Sequence, residues 1–307
     1  MATNTNSTSI NATIIGQLAL FIWAMSVCGI VLLQDIPAFE ILSVLFVSGL
    51  IASSMMNAVC GNWKVVTTHP RYVILAGIVG IIGNDVFYIV AFKYAPAAHV
   101  DLIALSWPMI VLILASIFLN ETIRFHHIFA CIIAFSGIYM LIVAESGVEV
   151  FDKEYLFGYL CALTSAIFWS IYVIISRKYI KCTPELFAVY CGVGSAFAIS
   201  MHFIFEVTII PTTTQLAILI FIGITTHSVA YYGWDFAIKR GNFKLLNILS
   251  YGNPVISVMG LVFFGFAELT DELFMAMIMV FIAGIIGGWN LEKKSKLALQ
   301  SDSQKNL

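Results

Sequence analysis

Ala91-Phe92-Lys93 is followed by Asp101 and Pro108, and 146 residues further along Ala237-Ile238-Lys239 is followed by Asn247 and Pro254. The same offset carries Trp23 onto Trp169 and Gly77 onto Gly223. Tryptophan and proline are rare letters, so an offset shared through both marks a duplication rather than the chance likeness of two apolar sequences. Apolar runs between polar punctuation divide the chain into ten, at about 14–33, 38–60, 72–92, 96–119, 125–144, 155–176, 184–206, 214–238, 242–266 and 272–291. Each is close to the roughly 20 residues a helix needs to cross a bilayer. Five runs fall in each copy, and because five is odd, equivalent helices cross in opposite directions. The expected fold is an all-α polytopic membrane protein of ten transmembrane helices, built as two inverted five-helix repeats. The repeats are expected at 1–146 and 147–291, with a basic tail at 292–307.

Composition agrees with that reading. Of 307 residues 61% are apolar and 10% charged, and the mean hydropathy is +0.97, whereas soluble domains are about a quarter charged. Lipid is therefore the solvent over most of the length. This excludes a secreted disulfide scaffold, a nucleic-acid binder and an ordinary soluble enzyme. The formal charge of −2 implies no polyanionic partner. Cys28, Cys60, Cys131, Cys161, Cys182 and Cys191 have neither zinc nor redox spacing and read as small buried apolar residues. No metal site and no cofactor is expected. No GxxxxGK loop, HExxH or GxSxG occurs, and the polar stretches are too short for a soluble domain. ATP hydrolysis by this chain, an intramembrane enzyme and a sensor with an output domain all lack their signatures.

Charge gives an orientation. If both termini are cytoplasmic, the inner segments hold thirteen basic residues and the outer ones hold two, Lys93 and Lys153. That is a strong positive-inside bias. The first run is read as a span rather than a signal peptide, because no lysine or arginine precedes it.

Polar groups inside apolar runs mark the expected site. Asp85, beside Asn84, lies in the third run, Asp101 in the fourth and Asp235 in the eighth. An ionised Asp at mid-span costs about 2.5–3.5 kcal/mol, so such residues should face the bundle interior. Asp235 has Lys239 four residues on as a partner. Asp85 and Asp101 have no basic neighbour at helical spacing, and Lys93 is the cation that could reach toward them. At least one of the two is expected to bind a substrate ammonium or a coupling proton; the alternative is a hydrogen bond to unwound backbone. His227 and His99 each read either as a proton relay or as a neutral hydrogen-bonded histidine, and His126 and His127 read as structural. Trp23, Tyr88, Trp107, Trp169, Tyr231, Tyr232, Trp234 and Tyr251 lie beside the polar groups and could wall a cavity for an aromatic or amphipathic solute. Asn84 and Asn253 are expected among the substrate-binding polar groups, while Pro108 and Pro254, in symmetry-related runs, place helix kinks at the junction of the halves, as gating elements. Gly284 and Gly288 allow close helix packing, within the bundle or between two copies, so monomer and homodimer both stand.

These residues together resemble the drug/metabolite transporter superfamily, in its EamA branch. The most specific stretches are Ala91 to Ala98 followed by Pro108 and Leu119-Asn120-Glu121, and Asp235 to Asn242 followed by Leu249 to Pro254. The Gly158-to-Arg177 run is similar to the family's sixth helix. Trp234-Asp235 through Ser250-Tyr251 and Pro254 looks closest to the bacterial aromatic amino-acid exporters. The resemblance implies a secondary active transporter that moves small metabolites, amino acids foremost, out across the cytoplasmic membrane by alternating access. The superfamily also holds importers and exchangers, for S-adenosylmethionine or nucleotide-like solutes. One departure is visible: many relatives carry an Arg in span two, whereas Glu40 to Phe46 has no basic residue.

Overall fold

The computed structural model describes residues 2–60, 69–118, 125–146, 153–178, 185–241, 246 and 252–288. The described residues are helical, without a strand: α1 (Ala2–Val31), α2 (Ala38–Cys60), α3 (Arg71–Tyr94), α4 (Ala97–Ala104), α5 (Trp107–Phe118), α6 (Phe125–Ser146), α7 (Lys153–Lys178), α8 (Leu186–Phe205), α9 (Thr213–Ile224), a π-helical turn (Thr225–Ala230), α10 (Tyr231–Arg240), α11 (Asn253–Phe263) and α12 (Asp271–Gly288).

Local chemistry sets several boundaries. Pro96 drives Ala95 into extended backbone (φ −154°, ψ 160°), which ends α3 and lets α4 begin. A capping box opens α9, where the Thr212 hydroxyl accepts from the Gln215 N–H and the Gln215 side chain accepts from the Thr212 N–H.

Among the described residues six stretches are long and apolar enough to cross a membrane: Ile10–Val31, Ala38–Val59, Arg71–Tyr94, Tyr155–Ile175, Leu186–Phe205 and Thr213–Trp234. Ala97–Val111, Ile128–Met140 and Asn253–Phe263 are shorter apolar stretches. Outward-facing Phe203, Ile210 and Phe263 are between 76% and 89% exposed, the surface that lipid tolerates and water does not.

Two runs read as single spans are interrupted. The fourth is split at Leu105-Ser106, where the Ser106 N–H turns to the Ile103 carbonyl (3.1 Å) and the Met109 N–H to that of Ser106 (3.0 Å). Pro108 is thus the second residue of a new helix, where its missing N–H leaves no bond unmade. Pro254 likewise stands in the first turn of α11. The kinks expected at both prolines are helix starts. The eighth run carries the π turn. There the hydroxyls of Thr225 and Thr226 take the carbonyls of Phe221 and Ile222, each at 2.7 Å. Such back-bonding competes with the helical ladder and loosens it.

The main packing pairs join the halves. α3 lies along α7, α2 along α8, α6 along α12 and α1 along α10. Glycines at equivalent positions permit two close approaches. The Tyr190 ring on α8 fills the space a side chain at Gly77 would need, and a Cβ at Gly223 would lie 2.7 Å from the Leu45 carbonyl oxygen on α2. Each half's third helix thus receives the other half's second helix within one residue of the same register.

Candidate functional site

The polar centre forms where α3 meets the π turn. Asp85 Oδ2 lies 3.0 Å from His227 Nε2, and Asp85 Oδ1 accepts from the Asn84 amide (3.0 Å). Asn84 Oδ1 accepts in turn from the Ser165 hydroxyl on α7 (2.9 Å). On the far side His227 Nδ1 meets the Thr226 hydroxyl oxygen at 2.8 Å. The Phe46 ring stands edge-on to the imidazole, 5.2 Å between centroids. A π turn leaves carbonyls out of helical register, and in an apolar bundle these need other donors. Three helices supply them: the Trp23 indole N–H donates to the Thr226 carbonyl (3.3 Å), and Ser53 and Cys191 both donate to that of His227 (3.3 and 3.8 Å).

Asp101 makes a second node. It is 1% exposed. One oxygen accepts from the Tyr88 hydroxyl (2.7 Å), the other from Ser257 on α11. Neither aspartate is satisfied by unwound backbone; both find side chains, one from each half. Lys93 does not reach them. Its ammonium donates to the carbonyls of Leu33 (3.2 Å), Gln34 (2.6 Å) and Ile36 at the α1–α2 corner.

Aromatic rings surround these nodes. Trp23 and Trp169, equivalent in the two halves, meet edge to face at 6.4 Å. Tyr231 lies 5.1 Å from Trp23 and 6.0 Å from Trp169, and stacks on Phe187 at 3.9 Å. Trp107 and Tyr172 extend the cluster from Trp169, and Trp234 extends it from Trp23. The rings touch one another rather than standing apart around a void. A cavity of about 440 Å³ opens instead at the Tyr94 end of α3, between Lys93, Phe39 and Glu206.

Of the remaining expected residues, Asn253 and Pro254 are buried at the start of α11. His99 contacts the Tyr159 hydroxyl at 3.0 Å. Tyr251 lies outside the described residues, as do the side chains of Pro108, Asp235, Lys239 and His127. Sequence reasoning missed Ser165, Thr226 and Ser257, the hydroxyl partners of the site. Ser165 carried a signal, lying one helical turn before Trp169 on the same face.

A second cluster also went unread. Glu206, at the end of α8, accepts from the N–H groups of Phe39 (3.0 Å) and Glu40 (3.2 Å) at the start of α2. Glu40 reciprocates by accepting from the Ile209 N–H (2.9 Å). His202 touches both carboxylates, at 3.0 Å to Glu206 and 3.9 Å to Glu40. A capping carboxylate suits a helix N-terminus, and here the cap on α2 comes from the other half.

Buried polar partners drawn from both halves of an apolar helical bundle are what a membrane transport protein needs between its moving parts. The chain matches the EamA-like transporter family twice, over residues 11–143 and 156–288. It belongs to that family. It is 31% identical over 278 residues to the aromatic amino acid exporter YddG of Ancylobacter novellus, covering 91% of this chain and 95% of that one. To the exporter YddG of Salmonella typhimurium it is 22% identical over 269 residues, covering 81% and 87%. A crystal structure at 28% identity superposes with a TM-score of 0.73 over 93% of this chain and 99% of the other. The protein is thus a multi-pass membrane transporter for a small-molecule solute and not an enzyme.

Proposed function

We propose that the protein exports aromatic or amphipathic amino acids across the cytoplasmic membrane by alternating access. In this reading ten spans form two inverted five-helix repeats, with both termini in the cytosol. The six membrane-length stretches are the first three spans of each repeat. The broken α4–α5, then α6, and in the second half α11 and α12, complete the count. The charge bias supports the orientation.

One observation carries the choice of solute: symmetry-related Trp23 and Trp169 meet at the junction of the halves, with Tyr231 against both and Asp85 close by. An aromatic amino acid can replace ring-on-ring contacts with its own ring and offer its ammonium to a carboxylate. The similarity to two aromatic amino acid exporters supports the same class. Phosphate-bearing solutes are disfavoured, because three carbonyls already hold Lys93. When the halves rock apart, Asp85, Asn84, Tyr88, Asp101, Trp23, Trp169, His227, Tyr231, Tyr251 and Asn253 would line the path. The helix starts at Pro108 and Pro254 would serve as hinges.

The test is counterflow in proteoliposomes with labelled phenylalanine, tyrosine and tryptophan, and with S-adenosylmethionine as the arm for the import or exchange reading. Exchange of the aromatic amino acids is expected. Exchange of S-adenosylmethionine alone would replace this reading with the importer one.

A further inference from the structure

Hydrogen-bond accounting distinguishes the two buried aspartates. Each oxygen of Asp101 faces a hydroxyl that has a proton to donate, from Tyr88 or Ser257. That carboxylate is complete without a proton of its own. Asp85 differs. The Thr226 hydroxyl has one proton, and it lies 2.7 Å from the Ile222 carbonyl oxygen, which can only accept. The Thr226 oxygen must therefore accept from His227 Nδ1–H across their 2.8 Å contact. With its proton on Nδ1, a neutral imidazole presents a bare lone pair at Nε2. An ionised Asp85 would present another, 3.0 Å away. Two lone pairs do not face each other at that distance without a proton between them.

We propose that the Asp85–His227 pair is a proton-binding site: it holds a single exchangeable proton while the halves are together, and gives it up when they part. The proton sits on Asp85 Oδ2 or on His227 Nε2. Separation breaks the bond between α3 and the π turn, leaving a carboxylate and a neutral imidazole, and the proton passes to water on the open side. Thr226 is the positioning residue that fixes the tautomer. This deepens the transport reading, and its coupling to solute flux rests on that reading. The amino-acid ammonium and the proton compete for Asp85, which makes the exchange an antiport.

Among the described residues the titratable groups facing the pair are Tyr88 on α3, Cys191 on α8 and Tyr231 on α10, with Asp101 behind Tyr88 and Tyr172 behind Tyr231. The α1 and α2 helices face it with Trp23, Phe46 and Ser53. Among the described cationic side chains, Lys93 is held at the α1–α2 corner, Arg240 lies over the Phe236 ring at 5.0 Å, and Arg71 starts α3 at its opposite end.

Two measurements test this. In proteoliposomes at equal pH, a phenylalanine gradient is expected to drive protons the opposite way, and the ratio of protons to phenylalanine is the readout. D85N and H227Q should bring that ratio close to zero whatever flux they retain. T226V should lower it and change its pH profile, and T226S should restore both. Phenylalanine counterflow with no proton movement, or with protons moving alongside, would overturn the antiport while leaving the transport reading intact. Absence of counterflow for every amino acid would overturn the transport reading. The second measurement then decides the proton site alone: nitrogen NMR of labelled histidine, with the His227 signals assigned by their loss in H227Q. A proton on Nδ1 is expected, and a bare Nδ1 would sink the accounting.

Discussion

Trp169 touches Trp23, Trp107, Tyr172 and Tyr231, so a single truncation there empties the meeting point of four rings. W169A is expected to weaken binding of aromatic solutes about tenfold, or about 1.4 kcal/mol, while W169F retains most of it; binding to detergent-purified protein measures both. Asp101 invites a different substitution. Y88F removes a hydroxyl from a fully buried carboxylate, and such a loss costs about 1–3 kcal/mol. A lower midpoint in a thermal-unfolding assay is expected, with S257A behaving alike. Much of this was legible from single letters. A carboxylate in an apolar run must find a polar interior, and Asp85 and Asp101 did. Their partners were not legible, because Ser257 is 156 residues from Asp101 and His227 is 142 from Asp85. Serine and threonine are too common in apolar helices to announce a role.

Helices meet here with little room to spare. A methyl at Gly223 would strike the backbone carbonyl of Leu45, which cannot rotate away as a side chain can. Overpacking of this kind costs typically 1–3 kcal/mol, so G223A should lower the unfolding midpoint, whereas G192A, whose Cβ would meet the Leu50 side chain at an ordinary 3.6 Å, should not. Helix positions were readable from apolar runs, and helix interruptions were read with less success. Pro108 pointed to a kink, but the chain turns earlier, at Leu105-Ser106, because proline is comfortable inside a first turn. The π turn had no sequence marker beyond the Thr225-Thr226 pair, whose effect depends on hydroxyls reaching back to carbonyls four residues before.

Across the whole molecule, the duplication read at an offset of 146 reappears as geometry: Trp23 against Trp169, and Gly77 and Gly223 each admitting the opposite half. What the offset could not foretell is the asymmetry. Glu206 caps the start of α2 while Glu40 accepts from Ile209 in the segment after α8, and these residues have no counterparts at that spacing. E206Q keeps the shape but removes the charge at the α2 N-terminus, which is worth about 0.3–1 kcal/mol in such a place. A modest fall in unfolding midpoint is expected, with E206A falling further.

The pairing of α3 with α7, α2 with α8 and α6 with α12 has a consequence for biosynthesis. When the ribosome has finished α1 to α6, their natural neighbours have not yet been made. Those helices must wait in the bilayer with glycine-lined grooves uncovered until the remainder of the polypeptide is inserted. Two fragments cut between Ser146 and Lys153 should accordingly assemble when synthesised together in one cell, and each should be degraded when synthesised by itself.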